Sequence, residues 1–354
     1  MISTTSINTS PSASFLLPSS PVLSLSHPSS KIQSFAERKP FEIEMDRPQF
    51  VIEAAEAKSM AKRSGLSSVI DLLPTLLRPA QSLARPPISN FPVVAVGLGP
   101  TGRIFLGVNI EFPGLPLHHS IHAEQFLLTN LSLHSEPSLR FLVVSAAPCG
   151  HCRQFLQELR SASDVRILVP RDEPNAPVGS NASSSSSSFV PLSQLLPDRF
   201  DPADLLPEGV PLLLEPIDSG LSLARDSLPN GFHTDEKDLA ATALLAANKS
   251  HAPYSGCPSG VALLDSAGKV YKGSYAESAA FNPSFGPVQA ALVAFIAGGG
   301  GGYENIVEAV LVEKEGAAVT QEHTARLLLG VVSPGCEFRV VHCVCGCKKV
   351  SSSM

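Results

Sequence analysis

Two short segments of the chain bring together the residue types that hold a catalytic metal. The first contains His122 and Glu124, and the second contains Cys149 and Cys152 in a Pro-Cys-Gly-His-Cys run. One imidazole and two thiolates suit zinc, and three protein ligands leave one position open, as in catalytic zinc sites. Glu124 is then the expected base for a water molecule at that position. The pattern predicts one Zn²⁺ per chain.

Neither segment is specific by itself. A Cys-x-x-Cys pair often belongs to a structural zinc site or a redox pair, and His-x-Glu is common on helices. His151 lies between the two cysteines, and we leave it out because three ligands are already present. With a proline before the first cysteine, the combined pattern resembles the H-x-E…P-C-x-x-C signature of zinc nucleobase deaminases. The catalytic interpretation is therefore favoured.

The hydrophobic pattern predicts the elements that position these residues. Predicted helices span 53–63, 69–77, 122–131 and 150–159, and predicted strands span 93–97, 103–108, 140–144 and 165–169. The alternation of strand and helix predicts an α/β sandwich whose sheet is partly parallel. Both ligand segments then begin a helix, where the helix dipole favours a thiolate or a carboxylate.

A G-x-G-x-x-G motif spans residues 97–102, but we do not interpret it as a dinucleotide site. That motif must open a helix so that the helix N–H groups meet the pyrophosphate. Here a strand-like segment follows, and Pro100, Thr101 and Gly102 have the composition of a turn. The motif therefore predicts the turn of a β-hairpin.

The second half of the chain repeats the first. When Ser89 is placed on Ser255 without gaps, prolines, glycines and a glutamate coincide, namely Pro92 with Pro258, Gly102 with Gly268, Gly107 with Gly273 and Glu111 with Glu277. Such self-similarity over a whole supersecondary unit predicts a fold duplicated in tandem.

The predicted zinc residues do not repeat. With one residue of slip, His122 falls on Pro287 and Glu124 on Gln289, and no Cys-x-x-Cys follows the strand predicted at 308–312. We therefore expect the second copy to be a domain without zinc.

Composition limits the remaining interpretations. The formal net charge of −6 argues against a surface that follows nucleic-acid phosphates, so no nucleic-acid partner is expected. No apolar run reaches the roughly 18 residues of a membrane span, so no membrane partner is expected either. Seven cysteines, none before Cys149, fit a reducing compartment.

The same composition suggests five segments. Residues 1–44 are a disordered leader or an organellar transit peptide, since they are Ser-rich and poor in acidic residues, with Met45 as a usable second start. A catalytic domain is expected over 45–170, a Ser/Pro-rich linker over 171–236, a degenerate domain over 237–345 and a tail over 346–354. We expect a cytoplasmic protein unless the leader targets a plastid or mitochondrion. Cys343, Cys345 and Cys347 could bind a metal, but they are near the C-terminus and lack a fourth ligand, so we interpret them as part of a frayed C-terminal end.

Several segments closely resemble cytidine deaminases of the dimeric, two-core-domain type in their plant form, namely 107–112, 120–125, 147–155, 250–255 and 273–283. The resemblance extends over about 45–342. It implies a three-layer α-β-α sandwich with a mixed sheet, present twice. It also implies zinc-dependent hydrolysis of cytidine and 2′-deoxycytidine to uridine and 2′-deoxyuridine in pyrimidine salvage.

The resemblance further implies substrate-binding roles. Asn109 and Glu111 would hold the ribose 3′-hydroxyl, and Phe91 would stack on the base. The backbone of Ala123, with the Glu124 carboxylate, would read the pyrimidine edge. The family form is a homodimer in which the segment at residues 280–281 closes the partner's site.

Two other functions share the zinc motif. A polynucleotide cytidine deaminase would need a basic groove and stacking aromatics, whereas this chain is acidic and has no Trp. A zinc-stabilised, non-catalytic nucleoside-binding protein would not need Glu124. Both are less favoured than nucleoside deamination.

Overall fold

The computed structural model describes residues 49–170, 188–224 and 234–345. The leader, most of the serine run at 183–188, residues 225–233 and the tail with Cys347 lie outside these ranges.

The first half contains a mixed six-stranded sheet. Its elements are β1 (Val51–Ile52), α1 (Ala54–Arg63), α2 (Val69–Leu72), α3 (Leu77–Ala80), β2 (Val94–Leu98), β3 (Ile104–Val108), α4 (Ala123–Leu133), β4 (Phe141–Val144), α5 (Gly150–Phe155), β5 (Arg166–Leu168), β6 (Val190–Pro191) and α6 (Leu192–Leu195). The strand order is β1-β3-β2-β4-β5-β6. Only β4 and β5 run parallel, and the other neighbours are antiparallel.

The second half repeats this arrangement with five strands. Its elements are β7 (Leu221–Leu223), α7 (Thr234–Asn248), β8 (Ser259–Asp265), β9 (Val270–Ser274), α8 (Pro287–Ala297), β10 (Ile306–Lys314), α9 (Glu322–Val332) and β11 (Glu337–Cys345). The order β7-β11-β10-β8-β9 again contains one parallel pair, β10 with β11. The predicted tandem duplication is therefore confirmed.

Residues 188–224 lie within the segment predicted to be a linker, and both of their strands join a sheet. β6 pairs with β5 at the edge of the first sheet, and β7 pairs with β11 at the edge of the second. The domain limits themselves remain a prediction.

Most of the elements predicted in the first half lie within two residues of their observed bounds. The predicted helix at 69–77 is broken into α2, a 3₁₀ turn and α3, because Pro74 cannot donate a helical hydrogen bond. Cys343 and Cys345 lie in β11 and the Cys343 side chain is buried, so the interpretation of these two residues as a frayed end is wrong.

The G-x-G-x-x-G segment forms the predicted hairpin turn between β2 and β3. A Cβ at Gly99 would lie 2.0 Å from Oε1 of Glu136. That carboxylate is fully buried, accepts hydrogen bonds from Thr101 and pairs with Arg103 at 2.6 Å. Gly99 therefore leaves room for the carboxylate of Glu136, which belongs to the same chain.

Alternating residues of the second sheet face two different cores, as expected for a strand covered on both sides. In β8, Val261 and Leu263 belong to a large core that includes residues of both halves, whereas Ala262 packs in a smaller core under α7. Helices α4 and α8 lie against each other between the two sheets. The layers therefore form an α/β sandwich.

Glycines in β3 and β9 allow α4 and α8 to approach their sheets closely. A Cβ at Gly107 would lie 2.2 Å from the carbonyl oxygen of Ala123, and one at Gly273 would lie 2.4 Å from that of Pro287. Ala123 and Pro287 are therefore equivalent.

This equivalence corrects the alignment made from the sequence. The residue preceding each helix is His122 in α4 and Gly286 in α8. Glu124 then corresponds to Val288, and not to Gln289. At these positions the second half has neither a histidine equivalent to His122, the predicted zinc ligand, nor a glutamate equivalent to Glu124, the predicted base.

We expect Gly107→Ala to lower the free energy of unfolding by about 2–3 kcal/mol, because the added methyl group overlaps backbone that cannot move aside cheaply. Gly273→Ala should have a similar effect, since its Cβ would lie 2.1 Å from the backbone nitrogen of Ala291. Denaturant unfolding measures both. Gly330→Ala is the control, because no heavy atom lies within 4 Å of its added Cβ. Equal stability of all three variants would contradict the close approach.

None of the helices within the three described ranges combines the length and apolar character needed to cross a bilayer.

Candidate active site

His122 lies at the start of α4, where the chain leaves an extended conformation. Its position is set by an isolated bridge between Ile110 and Ile121, which ties the preceding residue to the end of β3. The backbone N–H of His122 donates to Oε1 of Gln125 at 3.4 Å. The backbone of the histidine is therefore held by the Ile110–Ile121 bridge on one side and by the Gln125 side chain on the other.

The two cysteines meet His122 as predicted. Its Nδ1 atom lies 3.5 Å from Sγ of Cys149 and 3.2 Å from Sγ of Cys152. Cys149 precedes α5 and Cys152 is in its first turn, so the short helix presents both sulfurs to one point. One nitrogen and two sulfurs around a shared position form a donor set that fits zinc.

His151 joins the same cluster, which the sequence analysis did not anticipate. Donor atoms of His122, His151 and Cys152 all lie within 4.8 Å of one another. The Nε2 atom of His151 lies 3.1 Å from the carbonyl oxygen of Asn282, whereas its Nδ1 is buried without a hydrogen-bond partner among the described residues. His151 therefore contacts the second half through one nitrogen and faces the cluster region with its ring.

Hydrogen bonds within the cluster shift the pKa values of its members. Hydrogen bonds from Cys152 and His122 lower the pKa of Cys149 to about 3. The hydrogen bond to Cys149, together with burial, raises the pKa of Cys152. The hydrogen bond with Cys149 also raises the pKa of His122. The three side chains are therefore electrostatically coupled to one another.

Glu124 lies in the first turn of α4 and is 4 % exposed. Burial raises the pKa of its carboxyl group, which disfavours the charged form. The preceding residue, Ala123, is buried as well. A buried carboxyl group next to the metal ligands is the arrangement expected of a proton carrier.

Phe91 precedes β2 and Asn109 follows β3, so both lie at the end of the hairpin away from its turn. The Asn109 side chain accepts a hydrogen bond from the backbone N–H of Val93 at 2.9 Å and donates to the carbonyl oxygen of Phe91 at 2.9 Å. It therefore fixes the segment that carries Phe91, whose side chain is 60 % exposed. The exposed ring leaves one face free for stacking.

Glu111 holds the neighbouring loop. It accepts hydrogen bonds from the backbone N–H groups of Ile88 and Ser89 at 2.8 Å and from the Ser89 hydroxyl at 2.5 Å. These bonds, and desolvation acting against them, leave the pKa of Glu111 below its ordinary value. The ionised form of the carboxyl group is therefore favoured, and it is hydrogen-bonded to the loop at Ile88 and Ser89.

The second half keeps this loop support but not the open site. Glu277 accepts hydrogen bonds from the backbone of Tyr254 and Ser255 in the same geometry. At the position equivalent to the exposed Phe91 stands Cys257, which is buried. The place of Asn109 is taken by Tyr275, which is also buried. The second half is therefore closed where the first half is open.

A cleft of about 660 Å³ runs between the two halves beside His122 and His151. Its walls include His119, His122 and His151 from the first half, and Gln289 and Gln321 from the second. The sequence analysis missed this contact, because the residues that meet are far apart in the chain. In the sequence, the available sign of this contact was the presence of a glutamine at equivalent positions of the two repeats, Gln125 and Gln289.

The fold and the metal-ligand cluster together define a zinc-dependent deaminase. Two family models, both described as "Cytidine and deoxycytidylate deaminase zinc-binding region", match the chain. One matches residues 70–168 and the other matches residues 192–326. The two matches cover the two halves seen in the structure.

The chain belongs to the cytidine deaminase family. It is 62 % identical over 301 residues to "Cytidine deaminase 1" of Arabidopsis thaliana, which covers 84 % of this chain and 99 % of that protein. Similarity extends to "Cytidine deaminase 6" of the same plant, at 50 % identity over 80 % of this chain and 96 % of that protein. A bacterial relative, "Cytidine deaminase" of Serratia proteamaculans, is 40 % identical over 83 % of this chain and 90 % of that protein.

Proposed function

We propose that the protein is a zinc-dependent nucleoside deaminase that hydrolyses cytidine and 2′-deoxycytidine to uridine and 2′-deoxyuridine, with release of ammonia. The observation that supports this most directly is the convergence of His122, Cys149 and Cys152 beside the buried carboxyl group of Glu124. The relatives named cytidine deaminases support cytosine as the nucleobase of the substrate. Recovery of the pyrimidine for salvage would follow from this reaction.

His122, Cys149 and Cys152 would hold the zinc. The Sγ atoms of Cys149 and Cys152 lie 3.5 and 3.2 Å from the Nδ1 atom of His122. His151 is kept outside the set, because its ring is tied to the second half through Asn282. Zinc held there would act as a Lewis acid that lowers the pKa of a water molecule.

Glu124 would carry the protons of the reaction. It would take one proton from the attacking water and deliver it to N3 of the pyrimidine ring. It would then take the remaining proton from the hydroxyl group on C4 and pass it to the amino group, so that a carbonyl group forms at C4. The C4–O bond forms, the C4–N4 bond breaks, and the amino group leaves as ammonia. Because the two transfers follow one another, one carboxyl group is enough.

The remaining groups would bind the nucleoside. The free face of Phe91 would stack on the base, and the backbone of Ala123 would contact the pyrimidine edge. Asn109 and Glu111 would hold the ribose 3′-hydroxyl. Glu111 can do so, because its Oε1 atom accepts only one hydrogen bond among the described residues and has a second lone pair.

The direct test follows cytidine by ultraviolet absorbance during incubation with the purified full chain, with zinc quantified in the same sample. Loss of the cytidine band with one zinc per chain supports the proposal. Zinc without turnover of either nucleoside would overturn the substrate assignment. A single-stranded polynucleotide would then be tested as the substrate. Binding of such a strand should weaken steeply as the salt concentration increases.

Binding of the substrate can be tested separately from the metal. We expect Glu111→Gln to raise KM for cytidine about 10-fold or more, because a hydrogen bond to a charged group contributes about 1.5–3 kcal/mol. Glu277→Gln is the matched control, since this carboxylate supports the equivalent loop of the closed second half. Its KM should stay within about twofold of the wild-type value, and steady-state kinetics measures both. Equal effects of the two substitutions would refute the substrate role.

We also propose a homodimer. Large apolar side chains are exposed near the site, including Phe91 and Phe281, which is 67 % exposed. Residues 280–281 would then close the partner's site. Sedimentation velocity should give about twice the chain mass, and a monomer that turns over cytidine at full rate would contradict the proposal.

A further inference from the structure

The two equivalent helices α4 and α8 carry equivalent buried glutamines, Gln125 and Gln289. Nε2 of Gln125 donates to the carbonyl oxygen of Pro283 at 3.2 Å, and Nε2 of Gln289 donates to that of His119 at 3.4 Å. The two acceptors are also equivalent, since each lies three residues before the residue that precedes its helix. The halves therefore exchange a reciprocal pair of hydrogen bonds.

The side chain of Gln125 links Pro283 of the second half to His122, a proposed zinc ligand. The Oε1 atom of Gln125 accepts from the backbone N–H of His122, while its Nε2 atom donates to Pro283 of the second half. The amide can satisfy both contacts only in one orientation. The backbone of His122 is therefore coupled to the second half.

The cysteine segment is tied to the same place. His151 lies between Cys149 and Cys152, and its Nε2 atom lies 3.1 Å from the carbonyl oxygen of Asn282. Asn282 and Pro283 are adjacent. Two consecutive carbonyl groups of the second half thus accept one hydrogen bond from each of the two ligand segments.

The loop that carries these carbonyls, residues 279–285, is itself fixed, and we call it the brace loop. Glu158 of the first half is fully buried and accepts a hydrogen bond from the N–H of Ala279 at 2.7 Å. The same carboxylate accepts from the hydroxyl of Tyr254 at 2.7 Å and contacts His251 at 3.0 Å. The backbone N–H of Ser278 donates to the hydroxyl of Ser284. The brace loop is therefore held at both of its ends.

We propose that Gln289 and the brace loop are positioning elements for the zinc ligands of the first half. The inference rests on the proposed zinc site. A half without the histidine ligand or the base would then contribute to catalysis by orienting His122, Cys149 and Cys152. Partners that orient metal ligands typically change metal affinity or activity about 10–100-fold. Gln289 contacts the His119 segment and none of the proposed nucleoside-binding groups, within the described residues.

The test uses the full-length, zinc-loaded protein with Gln289→Leu, which keeps the volume and removes the donor. We expect zinc transfer to a chelator to become about 10-fold faster and kcat to fall by a similar factor. KM for cytidine should stay within about twofold of the wild-type value. Gln289→Asn, which is one methylene too short to reach His119, should behave in the same way.

Thr324→Val is the matched control, because Thr324 lines the same cleft and its side chain makes no hydrogen bond to the described residues. Its zinc release and kcat should match wild type. Unchanged zinc release in both Gln289 variants would overturn the inference, even if their thermal stability fell. Absence of zinc from the wild-type protein would instead refute the proposed function.

Discussion

Replacement of Glu124 by glutamine is expected to leave zinc bound and to reduce kcat for cytidine by about 10²–10⁴-fold, the usual contribution of a positioned general acid–base. Glutamine has the same shape as glutamate but cannot accept and release the protons of this reaction. The side chain is 4 % exposed, so bulk water cannot easily replace it. Steady-state kinetics and zinc analysis on the same sample measure the two quantities.

The matched control is Glu136→Gln, the same chemical change at a second buried glutamate. Glu136 pairs with Arg103 in the hairpin turn, away from the metal ligands. This variant should lose stability, by about 3–5 kcal/mol for a broken buried ion pair, and retain kcat in its folded fraction. A Glu124→Gln enzyme with nearly wild-type kcat would show that another group carries the protons.

Replacement of Cys149 by alanine is expected to remove both zinc and turnover. Two ligands would remain of the proposed three, and two protein ligands are fewer than a catalytic zinc site uses. Zinc should fall from about one per chain to a small fraction after dialysis against a chelator. Metal analysis and the absorbance assay together check this result.

Cys257→Ala provides the control, because this buried cysteine lies in the second half at the position equivalent to Phe91. It should keep its zinc and its kcat. His151→Gln separates the two candidate ligand sets, since His151 lies in the cluster but is excluded from the proposed three. If His151→Gln lost zinc while Cys149→Ala kept it, the ligand set would be His122, His151 and Cys152.

Local patterns were sufficient to predict the candidate site within the first half. The ligands lie at helix starts, where a few consecutive residues determine both the conformation and the chemistry. His122 and the two cysteines accordingly converge as expected. The hairpin turn at residues 97–102 was predicted for the same reason, although its bound carboxylate, from Glu136, was not.

Features that depend on long-range contacts were not predictable from one sequence. The equivalence of Glu124 with Val288 depends on how closely each helix approaches its sheet, and a count of residues across loops of different length missed it by one. The short strands β6 and β7 have only two and three residues, so their pairing partners rather than their own pattern define them. The contact of Gln125 with Pro283 joins residues whose proximity no local pattern encodes.

Glu158 gives the chain a property that neither half would have alone. Its carboxylate comes from the 3₁₀ turn that follows α5, and its hydrogen-bond partners Tyr254, His251 and Ala279 all come from the second half. A fragment that ended before residue 188 would bury this charge without partners or rearrange to expose it, at several kcal/mol in either case. The catalytic half is therefore not a portable module, and the two halves should melt as one cooperative unit.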